Sequence, residues 1–146
     1  MDLTIGAKAR SREYHVTRDE VLDFARKYDP QPFHLDDAVA EAHPIFGRLS
    51  ASGWHTCAIV MRLTVDSWTR DGERPLGGAG IDQIRWLKPV YPGDTLTAEF
   101  EVKDVLPGKP RPDMRIVKIE TTTFNQYGEP VMRHLSSVIF AAAGAA

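Results

Sequence analysis

Between Trp54 and Trp68 the chain is so apolar that it can only fold around itself there. Trp54, Cys57, Ala58, Ile59, Val60, Met61, Leu63, Val65 and Trp68 leave a narrow polar stripe of His55, Arg62, Asp66 and Thr69. A helix that is apolar nearly all round is a buried helix. Ser52 is placed to cap it, and Gly53 opens it without a side chain. Arg62 and Asp66 form an i,i+4 pair on its one wet face, worth roughly 0.2–0.5 kcal/mol. The rest of the chain is expected to wrap this helix.

The wrapper is legible downstream. Gly77-Gly78-Ala79-Gly80 breaks the pattern, and Ile81 to Val90 reads as a strand ending at Lys88-Pro89. Tyr91-Pro92-Gly93-Asp94 is a turn by composition. From Thr95 the alternation is clean, with Leu96, Ala98, Phe100 and Val102 on one face and Thr95, Thr97, Glu99, Glu101 and Lys103 on the other. Arg115 to Asn125 and Val131 to Phe140 give two more strands, joined through Gln126-Tyr127-Gly128-Glu129. Upstream, Ala7 to Val16 is a weakly alternating opening strand. Thr17-Arg18-Asp19-Glu20 has the capping-box form and starts a helix that runs to Tyr28. Asp36 or Asp37 caps a short helix through Ala42. Helices followed by a run of strands predict an α+β fold with an antiparallel sheet packed on the long helix.

Asp29-Pro30-Gln31-Pro32-Phe33-His34 carries the chemistry-bearing side chains. The two prolines exclude an α-helix there and push Asp29 and Gln31 toward extended backbone. A carboxylate and an imidazole thus sit on a stiff loop shaped before any ligand arrives, as two groups converging on one small molecule require. The same residues would also suit a proline-rich helix terminus with a surface Asp and His.

At 146 residues a single domain over 1–146 is expected. A net charge of −2 gives no reason to expect a nucleic acid or an anionic membrane as partner. One cysteine, Cys57, excludes an internal disulfide and fits a reducing cytoplasm. Met1 to Arg12 lacks the apolar core of a signal peptide, and no run approaches a membrane span. The small-residue stretch from Ala141 to Ala146 reads as a frayed tail. His15, His43, His55 and His134 fit no tight ligand spacing, so no metal is expected. His55 reads as a solvated or interface residue, Cys57 as packing, and Trp54, Trp68 and Trp86 as core, with Trp54 near enough to Gly53 to touch a bound chain.

Taken together, these segments resemble the hot-dog fold, and within it the MaoC-like and (R)-specific enoyl-CoA hydratase family. That family carries Gly-Asp-x-Asn-Pro-x-His followed by a small residue; Asp29, Pro32, His34 and Ala40 stand at matching positions. Ser52-Gly53-Trp54 is similar to the family's His-Gly-Met at the start of the buried helix. Arg85-Trp86-Leu87-Lys88-Pro89-Val90 with Gly93-Asp94-Thr95-Leu96 is similar to its strand and turn. The chain departs from the pattern at Tyr28, Gln31 and Ser52, where the family has glycine, asparagine and histidine. Those departures bear on substrate identity more than on fold.

The resemblance implies a sheet wrapped around a long buried central helix, a homodimer or higher homo-oligomer, and an acyl thioester as substrate, with no cofactor. It also implies hydration or dehydration of that thioester in fatty acid metabolism. Asp29 and His34 would share a water and handle its protons. Amides around Gly53 and Trp54 would polarise the thioester carbonyl at the positive end of the helix dipole. Gly53 would let the thioester approach, Gln31 and Ser52 would support the loop and helix start, and Tyr28 would reshape the acyl pocket. Arg48, Arg85 and Lys88 are weaker candidates for the phosphates of coenzyme A. Two other readings stand beside this one: an acyl-CoA-binding domain without turnover, and a thioesterase. For the latter the only acid well inside the helix is Asp66, about 13 residues or roughly 20 Å from Gly53. The acyl chain, and coenzyme A versus acyl carrier protein, stay open.

Overall fold

The computed structural model describes residues 1–68 and 74–143. Short strands β1 (Lys8–Arg10) and β2 (Tyr14–His15) precede helix α1 (Arg18–Tyr28). A 3₁₀ turn (Pro32–His34), helix α2 (Asp37–Glu41) and the long helix α3 (Gly53–Trp68) follow. The chain then forms β3 (Gly77–Trp86), β4 (Thr95–Pro107), β5 (Met114–Phe124) and β6 (Pro130–Ala141). Every strand pairing is antiparallel, in the order β1-β4-β5-β6-β3, with β2 paired to the start of β4. Consecutive strands β4, β5 and β6 make a meander, and β3 crosses to its far edge. No described helix is long and apolar enough to cross a membrane.

The caps fall where the side chains dictate. Thr17 Oγ1 accepts the Glu20 amide at 3.3 Å, and Asp36 Oδ1 accepts from Ala38 at 2.8 Å and Val39 at 3.2 Å. The opening strand is broken into two, because Ser11 turns inward to bond both sides of Ala98. Ile59, Leu63 and Trp68 of α3 meet Leu96, Phe100 and Val102 of β4, Val117 and Ile119 of β5, and Phe140 of β6 in one core. The Trp68 ring lies 5.8 Å from that of Phe100 and 6.3 Å from that of Phe140.

Three expectations need correction. First, α3 is not wet only along a polar stripe. Trp54, Met61 and Val65 are 59%, 55% and 47% exposed, so apolar side chains of α3 also reach its surface. His55 is buried instead, its ring stacked 4.8 Å from Phe24 and its Nε2 4.0 Å from Glu20. Helical geometry puts His55 on the α1 side, where Phe24 is the available surface. Thr69 lies outside the described residues. Second, the glycine run does not break the pattern but begins β3. Gly77 and Gly78 pair with Ile139 and Val138, and the strand ends at Trp86, before Pro89. Its register shifts twice, once across Gln83, which holds φ at +57°. Third, Ala141 pairs with Met114 as the last residue of β6; residues 144–146 are outside the described set.

Candidate active site

The site is built where α1 stops. Asp29 closes α1 through its amide to the Ala25 carbonyl and takes φ −147°, ψ 67° ahead of Pro30. Gln31 is extended, as a residue before proline should be. Pro32 then opens the 3₁₀ turn at a position where its missing N–H costs nothing, and His34 ends it, 4% exposed. The prolines exclude an α-helix but admit this single tight turn. It brings Nε2 of His34 to 3.5 Å from Oδ2 of Asp29.

Each of the two groups is held from behind. The Nδ1–H of His34 donates to the Ser50 carbonyl at 2.8 Å, which leaves Nε2 as the ring nitrogen that faces Asp29. Ser52 Oγ donates to Asp29 Oδ2 at 2.7 Å, and Gln31 Nε2 donates to Oδ1 at 2.7 Å. Partial burial works to raise the Asp29 pKa. Hydrogen bonds from Ser52 and Gln31, with the charge of His34, outweigh it and hold the carboxyl below its ordinary 3.8. Phe33 and Phe46 flank the His34 ring at 4.5 and 5.7 Å, and His43 braces them, stacked on Phe46, tilted against Phe33 and accepting the Ile45 and Phe46 amides.

Ser52 also accepts the Trp54 amide at 3.3 Å, so one hydroxyl ties the carboxylate to the start of α3. The amides of His55 and Thr56 point to the Ser52 carbonyl. Among the described residues this leaves Gly53 as the first-turn amide without an intramolecular acceptor, narrowing the expected pair of donors, Gly53 and Trp54, to one.

A cavity of about 380 Å³ joins these parts. Asp29, Gln31, His34, Gly53, Trp54 and Thr56 line it with Phe33, Phe46, Ile45, Trp86 and the 87–90 segment. That segment is fixed beside the helix start by the Ala51 amide bonded to the Val90 carbonyl at 2.8 Å. Gln31 is thus in the site, and Ser52 lies behind it. Tyr28 is not a pocket wall: it is 73% exposed, against Phe24, because α1 ends with this side chain turned away. Trp54 and Trp86 are not core residues but an exposed edge-on pair, 5.4 Å apart, while Trp68 is core. The reason for glycine at 53 also changes. A Cβ there would lie 2.7 Å from the Trp86 indole, so the tryptophan excludes a side chain before any substrate does. Lys88 lines the mouth in an ion pair with Glu129; Arg48 is stacked 3.8 Å from the Tyr91 ring, and Arg85 is outside the lining. Asp66 is bound to Arg12 and Arg62, away from the cavity. Among the described residues no three His, Cys, Asp or Glu side chains gather as metal ligands would.

Residues 2–124 match the MaoC-like domain family. The chain belongs to that family. YdeM of Bacillus subtilis, an uncharacterized protein, is 31% identical over 125 residues, covering 86% of each chain. Among solved structures, the MaoC-like dehydratase from Rhodospirillum rubrum is 40% identical with a TM-score of 0.87, covering 98% of this chain and 96% of its own. The (R)-hydratase of A. caviae involved in PHA biosynthesis is 30% identical with a TM-score of 0.70, over 93% and 96%. The MaoC-like domain accordingly has the hot-dog fold, its sheet curved around α3.

The expected Asp29–His34–Gly53 constellation is brought together. Sequence reasoning missed Ser50, which acts through its carbonyl and so leaves no mark in residue type. It also missed Phe33 and Phe46, whose spacing in the loop reads as ordinary packing.

Proposed function

We propose that this MaoC-like domain is a hydratase–dehydratase that interconverts an enoyl and a 3-hydroxyacyl thioester, on coenzyme A or an acyl carrier protein. The observation that carries this reading is the meeting of two acceptors, Asp29 Oδ2 and His34 Nε2, 3.5 Å apart at the floor of a cavity that opens beside Gly53. Two acceptors that close are best satisfied by one molecule donating to both, and water does so. In hydration its oxygen adds to the β-carbon as Nε2 of His34 takes one proton. The electron pair of the double bond moves onto the thioester oxygen, where the Gly53 amide and the helix N-terminus receive it. The imidazolium then returns a proton to the α-carbon. Asp29, held below its ordinary pKa, is a weak base; it orients the water and stabilises the imidazolium. These steps are acid–base chemistry and call on no cofactor.

We also infer a homodimer. The exposed apolar face of α3 lies beside β3, the sheet edge on which Ile81 and Trp86 are 50% and 46% exposed, and a second copy would cover both. The thioesterase reading loses its acid, since Asp66 is tied to two arginines outside the cavity. Incubation with enoyl-CoAs, and separately with saturated acyl-CoAs while free thiol is followed, tests the proposal. Hydration without thiol release is expected. Thiol release would make the protein a thioesterase, and binding with neither reaction an acyl-CoA-binding domain.

A further inference from the structure

We propose that Trp86 sets the acyl-chain length and makes this a site for short acyl groups; the inference rests on reading the cavity as an acyl-thioester site. Trp86 is the last residue of β3, paired with Met132 of β6. Its indole is locked over the helix start, donating from Nε1 to the Gly53 carbonyl at 2.9 Å. The contact is close enough that a Cβ on Gly53 would come within 2.8 Å of that same nitrogen and 2.7 Å of a ring carbon. Trp54 backs it edge-on. A thioester whose carbonyl rests on the Gly53 amide, with its β-carbon at Asp29 and His34, therefore has a fixed indole immediately beside its reacting carbons.

The size of the site agrees. About 380 Å³ lies at the low end of the roughly 300–1,000 Å³ found for small-molecule pockets, and it must also admit part of the carrier arm. Soft side chains adjoin the indole: Met132 is its cross-strand partner, and Cys57, one helical turn beyond Gly53 and against the Trp86 side chain, has its sulfur 3.9 Å from that of Met132. Removing the indole opens the pocket toward these two sulfurs, and each additional methylene accommodated is worth up to one or two orders of magnitude in discrimination.

The test compares trans-2-butenoyl-CoA with trans-2-octenoyl-CoA in the wild type, W86F and W86A, and measures binding of butanoyl-CoA and octanoyl-CoA by calorimetry. The wild type is expected to favour the butenoyl substrate in kcat/KM and to bind butanoyl-CoA tighter. W86A should raise the octenoyl-to-butenoyl ratio by about tenfold or more, and W86F, which keeps a ring in place, should hold it within about threefold of wild type. A wild type that binds octanoyl-CoA as tightly as butanoyl-CoA overturns the proposal without any variant. A folded W86A that loses both activities in proportion overturns it too, since a merely structural role would do that. If neither enoyl substrate is turned over, the hydratase reading fails, and the two binding constants still decide chain length.

Discussion

Ser52 is the residue on which the site turns. It donates a hydrogen bond to Asp29, accepts one from the Trp54 amide, and so couples the carboxylate to the helix end. Ser52→Ala should cost about 1 kcal/mol as a lost cap, read from urea midpoints. It also removes the strongest of the interactions that lower the Asp29 pKa. Because that pKa is depressed on folding, its stabilisation is full above the unfolded value near 3.8 and is lost as pH falls through the lower folded value. In Ser52→Ala the acid loss of stability should start at the same pH, be smaller and be complete at higher pH; an unchanged acid limb would count against the coupling. Asp29 and His34 were legible because two prolines fix their loop and the family pattern names their spacing. Tyr28 was misread because sequence adjacency to Asp29 says nothing about side-chain direction at a helix end. Trp86 was misplaced because a tryptophan before Leu87 and Pro89 reads as core whether it is covered or stands at a pocket edge.

Among the elements, α3 and β3 show what patterning can and cannot report. The apolar run fixed α3, and Leu63, fully buried against the sheet, should cost about 2–5 kcal/mol when cut to alanine, measured by chemical denaturation. Apolar character alone could not say whether the Trp54–Met61–Val65 face is covered by this chain or by another. The caps of α1 and α2 were readable because each is a local hydrogen bond. The glycines that open β3 were not, since their pairing to Val138 and Ile139 is made by backbone and leaves no alternation. From α3 alone His55 reads as either a solvated or an interface residue, and the surface that decides between them, Phe24, belongs to α1.

At the scale of the whole molecule, the exposed Trp54 and Met61 beside the β3 edge predict a solution mass twice that of the chain by sedimentation equilibrium, with Met61→Glu shifting it toward monomer. A monomeric wild type would contradict the dimer. Burial lowers the pKa of both His55 and His134, against a raising influence of Glu20 on His55. The unfolded chain therefore binds protons that the folded one refuses, and stability should fall as pH drops below about 6.5 and level off below the folded values. Replacing both by glutamine should flatten that slope in urea titrations. One comparison tests the roles of Asp29 and His34 most directly: hydration of trans-2-butenoyl-CoA by the wild type, Asp29→Asn and His34→Ala, with butanoyl-CoA binding measured alongside. Each variant is expected to bind still but to lose hydration by about 10²–10⁴-fold; near wild-type turnover in either variant would contradict those roles.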